Sequence, residues 1–333
     1  IRVESPTLIT GYRITNGWAR TNFTYFAISF SQPIKNYGYK DFEKILYNGF
    51  WRKFKVNSNF PEMAGRKVVS YFEFDTESNA EVVVKVALSA TSTDGAVKNL
   101  MAETAARDFD AIVSQTSDDW NKQLSSIEIE GTDDQKTMLY TSYYHTMINP
   151  SVYMDIDGKY RGLDQNIHLA NGFKNYTIFS LWDTYRAEHP FLMLMKPAEA
   201  RDMAMSMIRH QQQSAHGLLP IWSHMANDNW CMSGYHATSV LADAIVKGAN
   251  IDKAEALKAM VTTSNVAYFD GIGDYVELGY VPLETTDSSL VGNIYKLLYD
   301  DGKFVVVDRT NEMILVFDAA TGKFLNRIGH QGR

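Results

Sequence analysis

The apolar residues of this chain first change period near residue 90, and that change limits the folds open to it. Up to about Leu88 they alternate. Thr24, Phe26, Ile28 and Phe30 share one side of an extended segment, and Val82, Val84, Val86 and Leu88 share one side of another, opposite Glu81 and Lys85. This reads as an antiparallel β-sandwich over 1–93 that lacks its first strands. From Asp94 to Leu124 the spacing becomes three to four, through Val97, Leu100, Met101, Ile112, Trp120 and Leu124, and predicts a linker helix. IEIEG at 127–131 returns to a short strand, so the linker spans 94–131.

Helical signals dominate from Thr132 to Glu284. Thr132 with Gln135 makes a capping box, Asn149-Pro150 stops the helix after it, Pro197 suits a first helical turn, and Asp252 with Glu255 caps another helix. Ala237, Val240, Leu241, Ala244 and Ile245 form one stripe of a helix closed by Gly248. Paired helices joined by long loops suit a toroidal α/α barrel over 132–284. The last part, 285–333, holds three short strands, KFVVVD, MILVFD and KFLNRI, with turns at 309–312 and 319–322, which makes a β-meander. The fold class is multidomain α and β.

Composition removes several kinds of function. A chain of 333 residues, 45% hydrophobic and 21% charged, has the material for more than one core. A net charge of −7 argues against nucleic acid, whose binding relies on clustered Lys and Arg, and suits neutral glycans better. No apolar run reaches the roughly 18 residues of a membrane span, and the opening IRVESPTLI has no signal-peptide pattern, as expected of a mature protein or an internal fragment. The single cysteine, Cys231, excludes an internal disulfide and a cysteine zinc cluster.

The segment from Tyr176 to His236 carries the chemistry. YTIFSLWDTYRAEHP and GLLPIWSHMANDNWCMSGYHA crowd Trp, Asp, Arg, His and Asn around glycine and proline turns. A pyranose needs that mixture, since it offers C–H faces to aromatic rings and hydroxyls to carboxylates and amides. Asp183 and Arg186 are one helical turn apart, so an ion pair beside a core Trp182 is the competing reading. Asp228 with its neighbouring Asn residues equally suits a helix N-cap. His189, before Pro190, reads as structural, and Gly217 as a helix C-cap. Asp270, Asp274 and Glu277 in FDGIGDYVELG are rich in oxygen but match no calcium-loop spacing, so no metal ligand is assigned.

These blocks, with GYRITNGWA, VVVKVALSATSTDGAVKNL, LYTSYYHTMINPSVYMDIDGKYRGLD and DGIGDYVELGYVPLE, resemble glycoside hydrolase family 92, the calcium-dependent exo-acting α-mannosidases, over about residues 1–284. The resemblance implies a β-sandwich followed by an (α/α)6 barrel, of which about the first half fits before Glu284, with the active site where the two meet. It implies a periplasmic or secreted location and mannose-containing glycans as partners, with α-1,2 linkages the default. It makes Asp228, in Ala226-Asn227-Asp228-Asn229, the match to a Glu that serves as general acid, one methylene shorter in reach. Trp182, Asp183, His224, Asn227, Trp230, Cys231 and His236 become the substrate-binding candidates, a structural bond being the alternative for His236. Neither the family's base block nor its calcium-ligand block occurs in this chain, which predicts no turnover. Residues 285–333 resemble one blade of six-bladed β-propeller proteins. Three readings result: a truncated, fused family-92 α-mannosidase, a mannoside-binding pseudo-enzyme, and a propeller-type interaction protein.

Overall fold

The computed structural model describes residues 1–40, 61–77, 79–104, 108–265, 283–286, 288–292 and 294–329. It divides into two compact units, 1–264 and 265–333. Among the described residues the first opens with six strands, β1 (Arg2–Ser5), β2 (Leu8–Thr15), β3 (Asn22–Phe30), β4 (Ile34–Lys40), β5 (Val69–Phe74) and β6 (Val84–Ser89). Four make an antiparallel sheet in the order β1-β2-β3-β6, while β4 and β5 pair as a ribbon. Register sets Thr10, Ala27 and Ala87 side by side across the sheet. Their small side chains admit a helix, α1 (Thr93–Thr104), whose Ala96 and Leu100 pack with Ala27 and Ala87 into a small core.

The alternation is therefore as the sequence predicts, but the helix covers the other side. Val84, Val86 and Leu88 are 50, 54 and 59% exposed. Phe30, on the same side, meets Phe72 and Phe74 of the ribbon, with ring centroids 5.7 and 4.9 Å away.

The predicted single linker helix is two. After α1 comes α2 (Phe109–Leu124), capped by Asp108, whose carboxylate accepts the Ala111 amide at 2.7 Å. The strand expected at 127–131 is absent. Capping of the next helix begins at Thr132, and the Ile127 carbonyl accepts the Tyr140 hydroxyl instead of a strand partner.

The chain continues through α3 (Asp133–Thr146), β7 (Ser151–Val152), the hairpin β8 (Lys159–Arg161) and β9 (Ile167–Leu169), and β10 (Tyr176–Thr177), which pairs with β7. The capping box of Thr132 and Gln135 is formed in both directions. Helices α4 (Leu181–Thr184), α5 (Glu188–Met195), α6 (Pro197–Gln213), α7 (His236–Val246) and α8 (Lys253–Asn265) complete the unit. Its main core joins Leu192 of α5, Met203, Met207 and Ile208 of α6, the stripe Ala237, Val240, Leu241 and Ala244 of α7, and Ala256 and Ala259 of α8. Asp252 caps α8, accepting the Ala254 and Glu255 amides at 2.9 Å, while the Glu255 carboxylate turns to Arg209 at 2.6 Å. Asp270, Asp274 and Glu277 lie outside the described residues.

One buried carboxylate ties the sheet to α1 and to the loop between β7 and β8. Asp155 is 3% exposed and accepts Ser89 Oγ at 2.7 Å, Asn99 Nδ2 at 2.9 Å and Thr91 Oγ1. Asn99 also donates to the Leu88 carbonyl and accepts the Ile156 amide, both at 2.8 Å. A Cβ at Gly95 would collide with the Asp155 carboxylate, so only glycine lets α1 come this close.

The second unit is a meander of four strands rather than three: β11 (Ile294–Asp300), β12 (Lys303–Asp308), β13 (Met313–Asp318) and β14 (Phe324–Ile328), neighbours in sequence order. Val306, Leu315 and Phe317 form its core. The strand that the sequence hides, IYKLLYD, is exposed along its whole length.

Candidate functional site

The segment Ile221–Trp230 folds back on itself around Asp228. A bridge joins Ser223 to Asp228, and His224 and Asn227 exchange backbone hydrogen bonds of 2.7 and 3.1 Å. The Asp228 carboxylate accepts the Ile221 amide at 2.9 Å, the Trp222 amide at 3.2 Å and the Trp230 amide at 3.0 Å, so both its oxygens serve its own loop. The backbone it holds is strained. Met225, Ala226, Trp230 and Met232 have φ of 46°, 61°, 52° and 68°, in the left-handed region. Non-glycine residues there cost on the order of 1–3 kcal/mol each, and such strain concentrates at functional sites.

Two neighbours fix this loop. Phe179 donates its amide to the Ser223 carbonyl at 3.0 Å, and Thr177 Oγ1 accepts the Met225 amide at 2.7 Å. From the other side comes the β2–β3 connection. Asn227 Nδ2 donates to the Thr21 carbonyl at 2.8 Å, Asn227 Oδ1 accepts the Thr21 amide at 3.3 Å, and the Trp18 ring lies 4.5 Å from the Trp222 ring. The site thus draws on both the β-domain and the helical part.

Around α4 a second aromatic group forms. His236, at the start of α7, stacks on Tyr185 at 3.9 Å and 10°, and meets Trp182 at 5.5 Å. Arg186 lies over both rings, 4.8 Å from Tyr185 and 5.2 Å from Trp182. Asp183 accepts Ser180 Oγ at 2.5 Å. Trp182 remains 37% exposed.

Buried polar atoms without a protein partner collect here. Trp222 Nε1, His224 Nδ1, both amide atoms of Asn229, His236 Nε2 and Thr238 Oγ1 are all unpaired, as are Glu188 Oε1 and His189 Nε2 on α5. Such groups are rare in folded proteins and mark places where water or a ligand completes the bonding. Burial lowers the pKa of His224. It lowers that of His236 as well, aided by the Arg186 charge. Desolvation pushes Glu188 up to about 7 and holds His189 down at about 4. Among the described residues no group of three or more His, Cys, Asp or Glu side chains is placed to hold a metal ion.

The chain matches the model of the glycosyl hydrolase family 92 N-terminal domain over residues 1–89 and that of the glycosyl hydrolase family 92 catalytic domain over residues 95–310. It belongs to glycosyl hydrolase family 92. The catalytic-domain match runs past Glu284 and takes in β11 and β12. Among solved structures, the GH92 α-mannosidase BT3965 from Bacteroides thetaiotaomicron is similar at 39% identity and a TM-score of 0.75, over 82% of this chain and 37% of that one. In complex with mannoimidazole the same enzyme matches at 40% identity and a TM-score of 0.75, over 85% and 37%. The inverting mannosidase BT2199 from Bacteroides thetaiotaomicron VPI-5482 matches at 30% identity and a TM-score of 0.69, over 85% and 38%. The chain therefore spans well under half the length of these relatives. No curated protein matches it.

In this family-92 chain the sequence candidates fall into two groups. Asn227, Asp228, His224 and Trp230 lie on the latched loop, with the half-buried Cys231 next along the chain, whereas Trp182, Asp183 and His236 surround α4. The Asp228 carboxylate gives its two oxygens to three amides of its own strained loop. Two expectations change. Arg186 stacks on rings and does not orient Asp183. Gly217, with φ 64°, sits three residues beyond the Ser214 that caps α6, in the turn after the helix. His189 is 2% exposed and stacked on Phe179. Trp18, Trp222 and Asn229 escaped sequence reasoning. The first two stand in GYRITNGWA and LLPIW, beside Asn16 and Arg20 and beside Ser223 and His224, so those polar neighbours were a signal that could have found them.

Proposed function

We propose that this chain carries mannoside-recognition surface of a family-92 α-mannosidase, whose parent reaction is calcium-dependent, inverting, exo-acting release of terminal α-linked mannose, with α-1,2 linkages the default. The observation that carries this reading is the set of unpaired buried polar atoms on Trp222, His224, Asn229 and His236, set among stacked rings. Trp and His faces take the apolar side of a pyranose. The Asn229 amide, which both donates and accepts, pairs with vicinal hydroxyls. Asp183 keeps one oxygen for a sugar hydroxyl while Ser180 holds the other. A mannosidase relative crystallised with mannoimidazole supports the ligand class.

Hydrolysis with inversion needs an acid and a base about 6.5–9.5 Å apart, astride a water. Asp228 is committed to its loop, so we read the chain by itself as binding without turnover. The consecutive packing of α5, α6 and α7 suits part of an (α/α)6 barrel, and the four-stranded meander suits one propeller blade. A periplasmic or secreted location suits this reading, and among the described residues no helix is long and apolar enough to cross a membrane.

Titration with methyl α-mannoside, followed by NMR, tests the reading alongside an assay for free mannose. Saturable binding, weakened about tenfold by Asn229→Ala, with no mannose released from α-1,2-mannobiose, is the expected result. Absence of saturable binding overturns recognition, and measurable release overturns the lack of turnover.

A further inference from the structure

GYRITNGWA carries near its end a side chain with no place among the mannoside contacts of the latched loop and α4. Trp18 stands on the β2–β3 connection with 56% of its surface exposed, yet one side of its indole faces Trp222, 4.5 Å away and tilted by 31°. Its backbone is pinned on both flanks. The Gly17 amide donates to the Ala19 carbonyl at 2.9 Å, Ala19 is 4% exposed, and Asn227 clasps both backbone groups of Thr21. A large aromatic that is open to solvent and already ordered is well suited to stacking on a sugar, because little side-chain entropy remains to be lost on binding.

The groups beside it indicate the ligand. Trp222 continues to His224, stacked at 6.1 Å and 16°. Trp222 Nε1 and His224 Nδ1 are among the buried atoms without a partner. Trp18, Trp222 and His224 thus form a run of three rings with centroid steps of 4.5 and 6.1 Å. The outermost ring alone belongs to the β-domain.

We propose that Trp18 is a specificity-determining contact for the second sugar of an α-linked oligomannoside, stacking on the residue next to the mannose held by the latched loop. This rests on the mannoside reading of that loop. The β-domain then contributes to the choice between a single mannoside and a chain, and the Asn227 clasp on Thr21 sets Trp18 in position for it.

The test compares methyl α-mannoside with a thio-linked α-1,2-mannobioside, which resists cleavage, on the full chain and on Trp18→Ala and Trp18→Phe. The wild-type chain is expected to bind the disaccharide about tenfold more tightly than the monosaccharide. Trp18→Ala should abolish that gain and leave monosaccharide affinity within about twofold, while Trp18→Phe keeps most of it. A disaccharide gain that survives Trp18→Ala, no gain in the wild-type chain, or an equal loss for both sugars overturns the proposal and leaves monosaccharide recognition standing. Failure of the wild-type chain to bind either sugar overturns both. Should Trp18→Ala fold poorly, the Trp18 indole N–H signal of the wild-type chain decides. It should shift with the disaccharide and stay in place with the monosaccharide, and a signal that ignores the disaccharide sinks the idea.

Discussion

Three backbone amides converge on the Asp228 carboxylate, and a residue in that position cannot easily serve two purposes. Both oxygens of that carboxylate are engaged by its own loop, two amides on Oδ1 and one on Oδ2. Removal of the carboxylate leaves three N–H groups searching for partners in a loop that carries several left-handed residues. Asp228→Ala should therefore cost about 2 kcal/mol locally, and Asp228→Asn about half as much, since one acceptor oxygen remains. Amide exchange is the proper readout. The Ile221, Trp222 and Trp230 amides should exchange at least tenfold faster in Asp228→Ala, with core amides of α6 little affected. Unchanged exchange at these three positions would mean that the carboxylate is free for other work.

Among the elements, the joint between the sheet and the helical part is the most exacting. Asp155 takes two hydroxyls and an amide from β6, the turn after it and α1, and Gly95 leaves the necessary room. Asp155→Ala would strand these buried donors and is expected to destabilise the first unit by about 3 kcal/mol, against about 1 kcal/mol for Asp155→Asn, which retains shape and one acceptor. Urea unfolding measures both, and an alanine variant within about 0.5 kcal/mol of wild type would show the network to be incidental. No local pattern announces such a residue: in the sequence Asp155 is one acid in a loop, and its partners lie 56 to 66 positions away. Local rules were legible by contrast. The box at Thr132, the cap at Asp252 and the stripe on α7 each depend on neighbours within a few residues, and each formed. The sheet shows where legibility ends. Alternation told which residues share a side, but only the small pair Ala27 and Ala87 reveals which side accepts a helix. In the site, individual sugar-binding types could be picked out, while the partner of Trp222 came from the other end of the chain.

For the whole molecule, the buried titratable groups predict an optimum of stability near neutrality. Burial holds His189 at about 4 and His210 at about 3, both from 6.5. Between those values and 6.5 the unfolded chain binds protons that the folded chain refuses, so stability falls as pH drops through that window. Glu188 acts in the other direction. Raised from 4.5 to about 7, it keeps a proton in the folded state that the unfolded state has released, so stability falls as pH rises from 4.5 to 7. The uptake by two unfolded histidines exceeds the proton held by folded Glu188 until the two balance near neutrality, which puts the maximum at about pH 7. Tm measured from pH 4.5 to 8 should trace this curve, and two variants separate its limbs. His189→Gln should flatten the acid side, since an amide takes up no proton. Glu188→Gln should raise Tm above that of wild type at pH 7.5 and leave the two nearly equal near pH 4, where the carboxyl is protonated in both states. A Glu188→Gln effect of the same size at every pH would show that the side chain acts through packing and not through its proton, and would remove the alkaline limb from the account.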